Sequence, residues 1–508
     1  MNIKRILAAL LAALMLIPTM AACNSDTPDI PDTSVRDTTA SGGADTDAPG
    51  ETTTVETTTR ETECHEIKDN LPANLTFDGR KFSIYTGLRV AHERYVMGKE
   101  ESSGDVVNDA VWKRNSNVEA RLNIKLHSDG YDYDYATIAL PVSTLIQAGD
   151  SSYDIFLGQG SGISSLVAQK MFVNGYDLKH VDFEQPWWMT NFMDNISIGS
   201  DARYLLLSDF NTQAITYIRA NFFNKKLYER IYGNPDELYR LALDGKFTID
   251  HMNNLVAGAY VDLNGDGVSD LDDQLGMVCN GLYASTISFV YGSDVQFSSR
   301  DAEGIIKLSP VSEDAVKLME VLCAFFNQRA ICTKGSTDTT FAKGNALFIG
   351  NATLDTAGWK AIREMKDEFG LLPHPKFTEA QKEYRSLVHD QALLTAVSTA
   401  SKNLDMVGAV LEALSAESYR RVTPAYFETA LKMKYSRDSI SSRMADLIKD
   451  SMITEFIYIY NSSLKNLGTF PQNVISSNNP GAYVSSATIL IGAAEAKLAD
   501  LIEVYKGK

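Results

Sequence analysis

Residues 153–162 read Tyr-Asp-Ile-Phe-Leu-Gly-Gln-Gly-Ser-Gly, a mainly apolar run that passes directly into a glycine-rich turn. The run from Tyr153 to Leu157 predicts a short buried strand. The turn from Gly158 to Gly162 lies between this strand and a helix, so its amides can point at a ligand oxygen. The turn lacks the G-x-G-x-x-G spacing because position 163 is Ile, and a dinucleotide site of that type is therefore excluded.

Similar short runs recur along the chain, with helical patterns between them. Asn234 and Pro235 mark one helix start, with a capping side chain and a proline in the first turn. Ile489 to Tyr505 predicts a terminal helix. Strands that alternate with helices predict an α/β architecture with mostly parallel sheets covered on both faces. The other predicted strands are Lys81 to Thr86, Leu122 to Leu126, Tyr204 to Ser208, Gly276 to Cys279, Ala346 to Ile349 and Ala392 to Val397.

The first residues predict export and a lipid tether. Lys4 and Arg5 precede an apolar stretch that is too short to span a bilayer comfortably, and small residues follow it. The four residues that end in Cys23 resemble the lipobox of bacterial lipoproteins, in which that cysteine is acylated. The alternatives are an ordinary secretory signal with a chance cysteine and a buried apolar helix. The Thr-, Asp- and Ser-rich stretch after Cys23 has too little apolar surface to fold, so it predicts a disordered spacer.

Length and charge limit the classes of protein that remain. Without signal and spacer, roughly 435 of the 508 residues are left, enough for two lobes or one large domain, and two lobes are favoured. The net charge of -18 argues against nucleic acid as a partner and leaves no basic stripe for anionic lipid. The predicted membrane attachment is therefore the lipid on Cys23 alone.

The cysteines do not suggest a metal site. Cys64, Cys279, Cys323 and Cys332 form no C-x-x-C pair and have no histidines at zinc-like spacing. Cys323 shares a helical face with apolar residues, which is typical of a small buried side chain. A bridge from Cys323 to Cys332 stays open for a chain outside the cytoplasm.

One loop has the pattern of a calcium site. From Asp262 to Asp273, side-chain oxygens stand at loop positions 1, 3, 5, 9 and 12, and glycine stands at position 6. A hard cation needs such a set of oxygen ligands, and the carbonyl of Val268 adds another. The last position has Asp instead of the longer Glu of an EF-hand, and a metal-free turn is the alternative. We expect a structural Ca²⁺ at this loop, with the ligands Asp262, Asn264, Asp266, Val268, Asp270 and Asp273.

A series of motifs spreads over most of the folded part. The motifs are Asn108-Asp109-Ala110-Val111, Tyr153-Asp154-Ile155-Phe156, Gly175-Tyr176-Asp177-Leu178, Phe222-Phe223-Asn224-Lys225-Lys226-Leu227-Tyr228, Lys246-Phe247-Thr248-Ile249-Asp250, Phe369-Gly370-Leu371-Leu372-Pro373 and Leu411-Glu412-Ala413-Leu414. In this order they resemble the lipid-anchored extracellular solute-binding proteins of ABC importers, the maltose-binding-like group. The resemblance covers about residues 77 to 465.

The resemblance implies a two-lobe periplasmic-binding-protein-like fold of type II, in which a hinge lets the lobes close on a ligand. It implies a non-enzymatic monomer on the outer face of the cytoplasmic membrane. Its partners would be a small solute and an ABC permease. A mono- or oligosaccharide is the expected solute, and a peptide or another polar solute stays open. The expected crossings between lobes lie near 208–213, 388–393 and 423–429. The implied segments are a signal peptide at 1–22, the lipidated cysteine and spacer at 23–75, a first lobe of 76–210 plus 391–425, and a second lobe of 211–390 plus 426–508.

Candidate ligand contacts follow from the chemistry of sugars, whose apolar ring faces and hydroxyl rims suit aromatic platforms edged by carboxylates or amides. Only four tryptophans are present, and Trp112 has a core pattern. An isolated Asp or Asn at a crossing can instead satisfy backbone groups of the hinge. The candidates are Tyr85, Gln159, Trp187, Trp188, Asp209, Asn211, Asn351, Trp359, Asp390 and Gln391.

Two other classes of protein stay open. A glycoside hydrolase would need two carboxylates that flank one cleft, and carboxylates are plentiful, but no G-x-S-x-G, H-E-x-x-H or Walker motif is present. A cell-surface glycan-binding or adhesion protein is suggested by the dockerin-like calcium loop. A dockerin normally has two such loops, and this sequence has one.

Overall fold

The computed structural model describes residues 67–98, 104–134, 136–279, 281–335, 337–350, 352–427 and 439–507. The predicted signal peptide, Cys23, Cys64 and most of the predicted spacer lie outside these ranges. Within them, no helix combines the length and the apolar character that a membrane span requires.

Strands alternate with helices along most of this part of the chain, as predicted. The strands are β1 (Arg80–Thr86), β2 (Ile124–Gly130), β3 (Ile155–Gln159), β4 (Asn221–Asn224), β5 (Leu275–Val278), β6 (Ser298–Arg300), β7 (Ile306–Leu308), β8 (Ile331–Cys332), β9 (Ala346–Ile349), β10 (Phe369–Leu372), β11 (Ser386–Leu387), β12 (Leu393–Val397) and β13 (Met452–Ile453).

The helices range from single turns to a long terminal helix. They are α1 (Arg89–Ala91), α2 (Val106–Leu122), α3 (Ala139–Gln147), α4 (Gly160–Ile163), α5 (Thr190–Ile196), α6 (Thr212–Thr216), α7 (Lys225–Tyr232), α8 (Asp236–Leu243), α9 (Ile249–Ala259), α10 (Tyr283–Gly292), α11 (Glu313–Phe326), α12 (Thr337–Ala342), α13 (Lys360–Arg363), α14 (Leu404–Glu417), α15 (Ser439–Asp450), α16 (Phe456–Ile459), α17 (Pro471–Ser476) and α18 (Tyr483–Lys506). π-Helical turns cover His92–Val96 and Ser418–Val422, and 3₁₀ turns cover Ser164–Leu166, Gly175–Asp177, Leu354–Gly358 and Pro480–Ala482.

The first lobe is built on a four-stranded sheet with the order β12-β3-β1-β2. Strand β1 runs parallel to β2 and β3, whereas β12 runs antiparallel to β3. Helix α2 packs beside this sheet, and the side chain of Asp105 caps its first turn by accepting from the amides of Val107 and Asn108. The first sheet therefore joins strands from the early part of the chain to one strand that arrives after residue 390.

The second lobe is built on a five-stranded sheet with the order β10-β4-β9-β5-β8. Strand β5 runs parallel to β8 and β9, and β4 runs antiparallel to both β9 and β10. The expectation of mostly parallel sheets therefore holds for the first sheet and for only half of the pairings in the second. Strand β12 enters the first sheet from the second lobe and runs antiparallel to β3. Strand β4 enters the second sheet from the first lobe and runs antiparallel to β9.

Two local predictions need correction. Tyr204 to Ser208 is not a strand, because Leu206 and Ser208 form single bridges to two different segments. The terminal helix begins at Tyr483, earlier than the predicted Ile489. The helix start at Asn234 is confirmed, since its side-chain oxygen accepts from the amide of Asp236 at the start of α8.

The described cysteines are buried free thiols. Cys279, Cys323 and Cys332 all lie in the interior, and the bridge from Cys323 to Cys332 is not formed. Cys323 lies on the buried face of α11 with Met319 and Phe326, as the helical spacing predicted.

Candidate functional site

Two segments that connect the lobes run side by side. The amide of Arg219 donates to the carbonyl of Leu387 at 2.8 Å, and the amide of His389 donates to the carbonyl of Tyr217 at 3.1 Å. Ile218 and Val388 form an antiparallel bridge between these two bonds. We call residues 217–219 and 387–389 the crossing ladder. The crossing ladder overlaps the expected crossing near 388–393 and lies a few residues after the one expected near 208–213.

The crossing ladder lies at the carboxyl ends of parallel strands in both sheets. Strand β12 begins at Leu393, opposite Gln159 at the end of β3. In the second sheet, Phe222 of β4 pairs with Ile349 at the end of β9. Ligands of open α/β sheets bind outside the carboxyl ends of the strands, where the chain changes direction. This position makes the region around the crossing ladder the candidate binding site.

Two predicted contacts, Asp209 and Asn211, lie in the first connection and bond to protein groups. The amide nitrogen of Asn211 donates to the carbonyl of Leu393 at 3.0 Å and to the hydroxyl of Thr395 at 2.9 Å. Its oxygen accepts from the amide of Ser208 at 3.0 Å. Asp209 accepts from the hydroxyl of Thr423, and burial raises its pKa to about 6. These side chains therefore join the connecting segments to one another.

Asp390 lies at the centre of a buried polar group beside the crossing ladder. Its carboxylate is 2.8 Å from Nδ1 of His389 and accepts from the hydroxyl of Tyr458 at 3.3 Å. Burial opposes ionisation of Asp390, but the hydrogen bond to His389 and the nearby Arg219 charge outweigh it and lower its pKa. Burial and the Arg219 charge lower the pKa of His389. Asp390 is thus stabilised as a carboxylate next to a neutral imidazole.

The partly exposed edge of this group offers a surface to a ligand. Tyr217, His389 and Gln391 are half-buried, and the rings of Tyr217 and His389 are 5.8 Å apart. An aromatic face beside imidazole and amide groups suits a polyhydroxylated ring. Gln391 was predicted here, whereas Tyr217, His389 and the buried Arg219 were missed, because nothing local in the sequence marks them.

Tyr85 and Gln159 lie together at the end of the first sheet. The ring of Tyr85 stacks on Tyr131 with centroids 4.5 Å apart, and Tyr133 is 6.5 Å away at 12°. The amide of Gln159 donates to the carbonyl of Tyr133. Tyr85 is buried, whereas Tyr131 and Tyr133 are partly exposed. The Tyr-Asp-Tyr-Asp-Tyr run at 131–135 is the signal that could have identified this aromatic cluster.

The structure places Trp187 and Trp188 in the core. Their indole nitrogens donate to the two oxygens of Glu412, at 3.1 and 2.9 Å. Burial raises the pKa of Glu412 to about 7. The tryptophans are 0% and 4% exposed, so a ligand has no access to either ring in this conformation.

Trp359 is the exposed tryptophan candidate, with 38% of its surface accessible. It follows the 3₁₀ turn Leu354–Gly358 in the second lobe. Asn351 lies outside the described residues. No ligand contact is shown for any of the ten candidates, and their role in binding stays a prediction.

The predicted calcium loop connects α9 to β5 on the surface. Asp262 accepts from the amides of Gly265 and Gly267 at 2.7 and 2.9 Å. Both glycines have φ of 75°, which fits the sharp turn expected at position 6 of the loop. Asp273 is buried and accepts from the amide of Leu263 at 3.0 Å. In the described ranges, no group of three or more His, Cys, Asp and Glu side chains is close enough to hold a metal ion.

Comparison with solved structures identifies the fold. A cyclo/maltodextrin-binding protein complexed with maltotetraose matches with a TM-score of 0.50 and 13% identity, over 84% of this chain and 96% of its own. The maltose/maltodextrin-binding domain MalE from Bdellovibrio bacteriovorus, bound to maltotriose, matches with a TM-score of 0.50 and 14% identity, over 82% of this chain and 100% of its own. No family model matches the sequence, and no curated protein does.

These likenesses define the class of fold. The chain has the two-lobe α/β fold of the periplasmic solute-binding proteins. The resemblance to the maltose-binding-like group is confirmed at the level of the fold.

Proposed function

We propose that this protein captures a small solute between its two lobes by hinge closure and delivers it to the permease of an ABC importer. The observation that carries the proposal is the crossing ladder, which connects the lobes at the carboxyl ends of the strands in both sheets. A rotation in these few residues moves one lobe against the other, and ligand contacts on both lobes then favour the closed form.

The solute is an uncharged polyhydroxylated molecule, most simply a mono- or oligosaccharide. The charged groups near the crossing ladder already have partners: Asp390 contacts His389 next to Arg219, and Arg94 forms a 3.1 Å salt bridge with Asp355. Binding would remove water from a charged ligand, and none of these groups would be free to balance its charge. The cost in free energy would therefore be high. The two similar structures hold maltotetraose and maltotriose, which agrees with this class.

The protein binds its solute without reaction. The fold is that of binding proteins, and the Asp390 carboxylate is engaged by His389 and Tyr458. A glycoside hydrolase would need a second carboxylate facing the first across the ligand. Release of reducing sugar from a glycan panel would contradict a purely binding role.

Cys23 anchors the protein to the outer face of the cytoplasmic membrane, and the residues after it separate the folded part from the lipid. This part of the proposal is supported by the lipobox-like sequence alone. Globomycin treatment of expressing cells, with Cys23→Ala as the matched variant, tests it by the size and membrane association of the product.

A structural Ca²⁺ at the 262–273 loop is part of the proposal. The oxygen donors of Asp262, Asn264 and Asp266 are of the kind that Ca²⁺ prefers. The ion would brace the connection between α9 and β5 and takes no part in solute binding.

A thermal-shift screen across a carbohydrate library, with Ca²⁺ present, tests the solute. A cognate sugar raises the melting temperature, and small-angle scattering then shows a smaller radius of gyration with that sugar. A rise in melting temperature with peptides, and no rise with any sugar, would overturn the carbohydrate assignment. A radius of gyration unchanged by every binding solute would overturn hinge closure.

A further inference from the structure

A fully buried arginine braces a π-helical turn of the first lobe. Arg114 of α2 is 0% exposed, and its guanidinium donates to the carbonyls of Tyr95 and Val96. The neighbouring Asn115 donates to the carbonyls of Val96 and Met97 at 2.9 and 3.0 Å. Burying a charged group is costly, so a turn held this way is strongly specified. π-Helical turns are frequent at functional positions.

This turn, His92–Val96, presents Arg94 to the second lobe. Arg94 Nη1 is 3.1 Å from Asp355 Oδ1. Asp355 belongs to the 3₁₀ turn after β9, and the amide of Leu354 in the same turn donates to the carbonyl of Ile218 in the crossing ladder at 3.0 Å. The salt bridge therefore joins two rigidly held turns on opposite lobes.

The salt bridge is accessible to water. The side chains of Arg94 and Asp355 are 46% and 23% exposed. An ion pair of this kind forms and breaks readily, and it is weakened by salt. It can therefore favour the arrangement in which the two turns are in contact without preventing them from separating.

We propose that Arg94 and Asp355 form a reversible electrostatic latch that biases the ligand-free protein towards the arrangement in which these two turns, one on each lobe, are in contact. The inference rests on the proposed hinge closure. The latch makes the fraction of molecules with the two turns in contact depend on ionic strength, and removal of either charge lowers the ratio of these molecules to more open ones by roughly two- to fivefold.

The test is small-angle scattering of the ligand-free protein in 50 mM and 1 M NaCl. Four variants are compared with the wild type: Arg94→Gln, Asp355→Asn, the charge swap Arg94→Asp with Asp355→Arg, and the control Asp132→Asn. The control removes a 3.0 Å salt bridge between Arg89 and Asp132, which lies within the first lobe and whose side chains are 54% and 66% exposed.

We expect salt to increase the radius of gyration of the wild type and of Asp132→Asn. The two single variants should show the larger radius already at low salt, and the charge swap should restore the smaller one. Single variants that match the wild type at both salt concentrations would overturn the latch, as would a charge swap that stays as open as they are. If the latch is disproved, the proposal of solute binding is unaffected, because the sugar screen tests that proposal separately.

Discussion

The indole nitrogen of Trp188 donates a 2.9 Å hydrogen bond to Glu412, a residue of α14 more than two hundred positions away in the chain. The adjacent Trp187 donates to the other carboxylate oxygen, and the amide of Asp182 adds a third bond. Burial nevertheless raises the pKa of Glu412 to about 7. The folded protein therefore holds a proton on this group more tightly than the unfolded chain does.

The stability of the protein should depend on pH through Glu412. Because the folded-state pKa is raised, its contribution to stability is fully present below about pH 4.5 and is lost as the pH rises through about 7. We expect a loss of about 1 to 3 kcal/mol in the free energy of unfolding between these values. Urea unfolding of the wild type and Glu412→Gln at pH 4.5, 6.0 and 7.5 measures it.

The difference between wild type and variant is the relevant quantity, because Asp209 also has a raised pKa. Glu184→Gln removes an exposed carboxylate near the tryptophans and serves as the control. It should keep the pH dependence of the wild type. A Glu412→Gln variant with an unchanged pH dependence would show that this carboxyl is not the group responsible.

Substitution of Asn211 should destabilise the protein through the segments that it joins. Its amide makes three hydrogen bonds at 4% exposure, so Asn211→Ala leaves buried partners unsatisfied. The expected loss in the free energy of unfolding is about 2 to 3 kcal/mol. Denaturant unfolding followed by tryptophan fluorescence measures it. Asn70→Ala, which removes one exposed hydrogen bond, should change stability by less than about 0.5 kcal/mol.

Tyr217 should contribute directly to solute affinity. Its half-buried ring lies beside His389 at the crossing ladder, where a sugar ring can pack against it. For the best sugar from the screen, we expect Tyr217→Ala to weaken binding about tenfold in isothermal titration calorimetry. Tyr176→Ala removes a tyrosine that is 45% exposed in the 3₁₀ turn Gly175–Asp177, and it should bind as the wild type does. Equal affinity in both variants would place the ligand elsewhere.

Calcium should raise the melting temperature through the 262–273 loop. At saturating Ca²⁺ we expect a rise of about 2 to 4 °C over chelator-treated protein, measured by calorimetry. Asp266→Asn should abolish the rise, because Asp266 stands at a predicted ligand position. Asp272→Asn, at a position with no predicted ligand role, should keep it. Identical melting of the wild type with calcium and with chelator would argue that the loop is a metal-free turn.

Local sequence patterns placed several strands to within one residue at each end. Lys81 to Thr86 is one residue short of β1, and Gly276 to Cys279 is one residue out of step with β5. Tyr204 to Ser208 has the same apolar character but no continuous partner, so it forms bridges and no strand. Pairing partners are tertiary information that a local pattern does not contain.

Sequence analysis predicted candidate residues that lie at a crossing between lobes. It missed residues that the fold brings together from distant parts of the chain. Asp390 and Gln391 were predicted because the family resemblance places the second crossing near 388–393, where a strand would deliver side chains into the cleft. The buried position of Trp187 and Trp188 depends on Glu412, which only the folded chain brings to them. Arg219 and His389 come together through the antiparallel pairing of two segments that are far apart in sequence.

The late arrival of β12 has a consequence for biogenesis. It covers the open edge of β3, yet it follows roughly 230 residues later in the chain, after the whole second sheet. A nascent chain therefore cannot finish its first sheet until nearly four hundred residues have emerged, and until then the hydrogen-bonding groups of β3 lack this partner. Completion of the first sheet therefore waits for the synthesis of every strand of the second sheet.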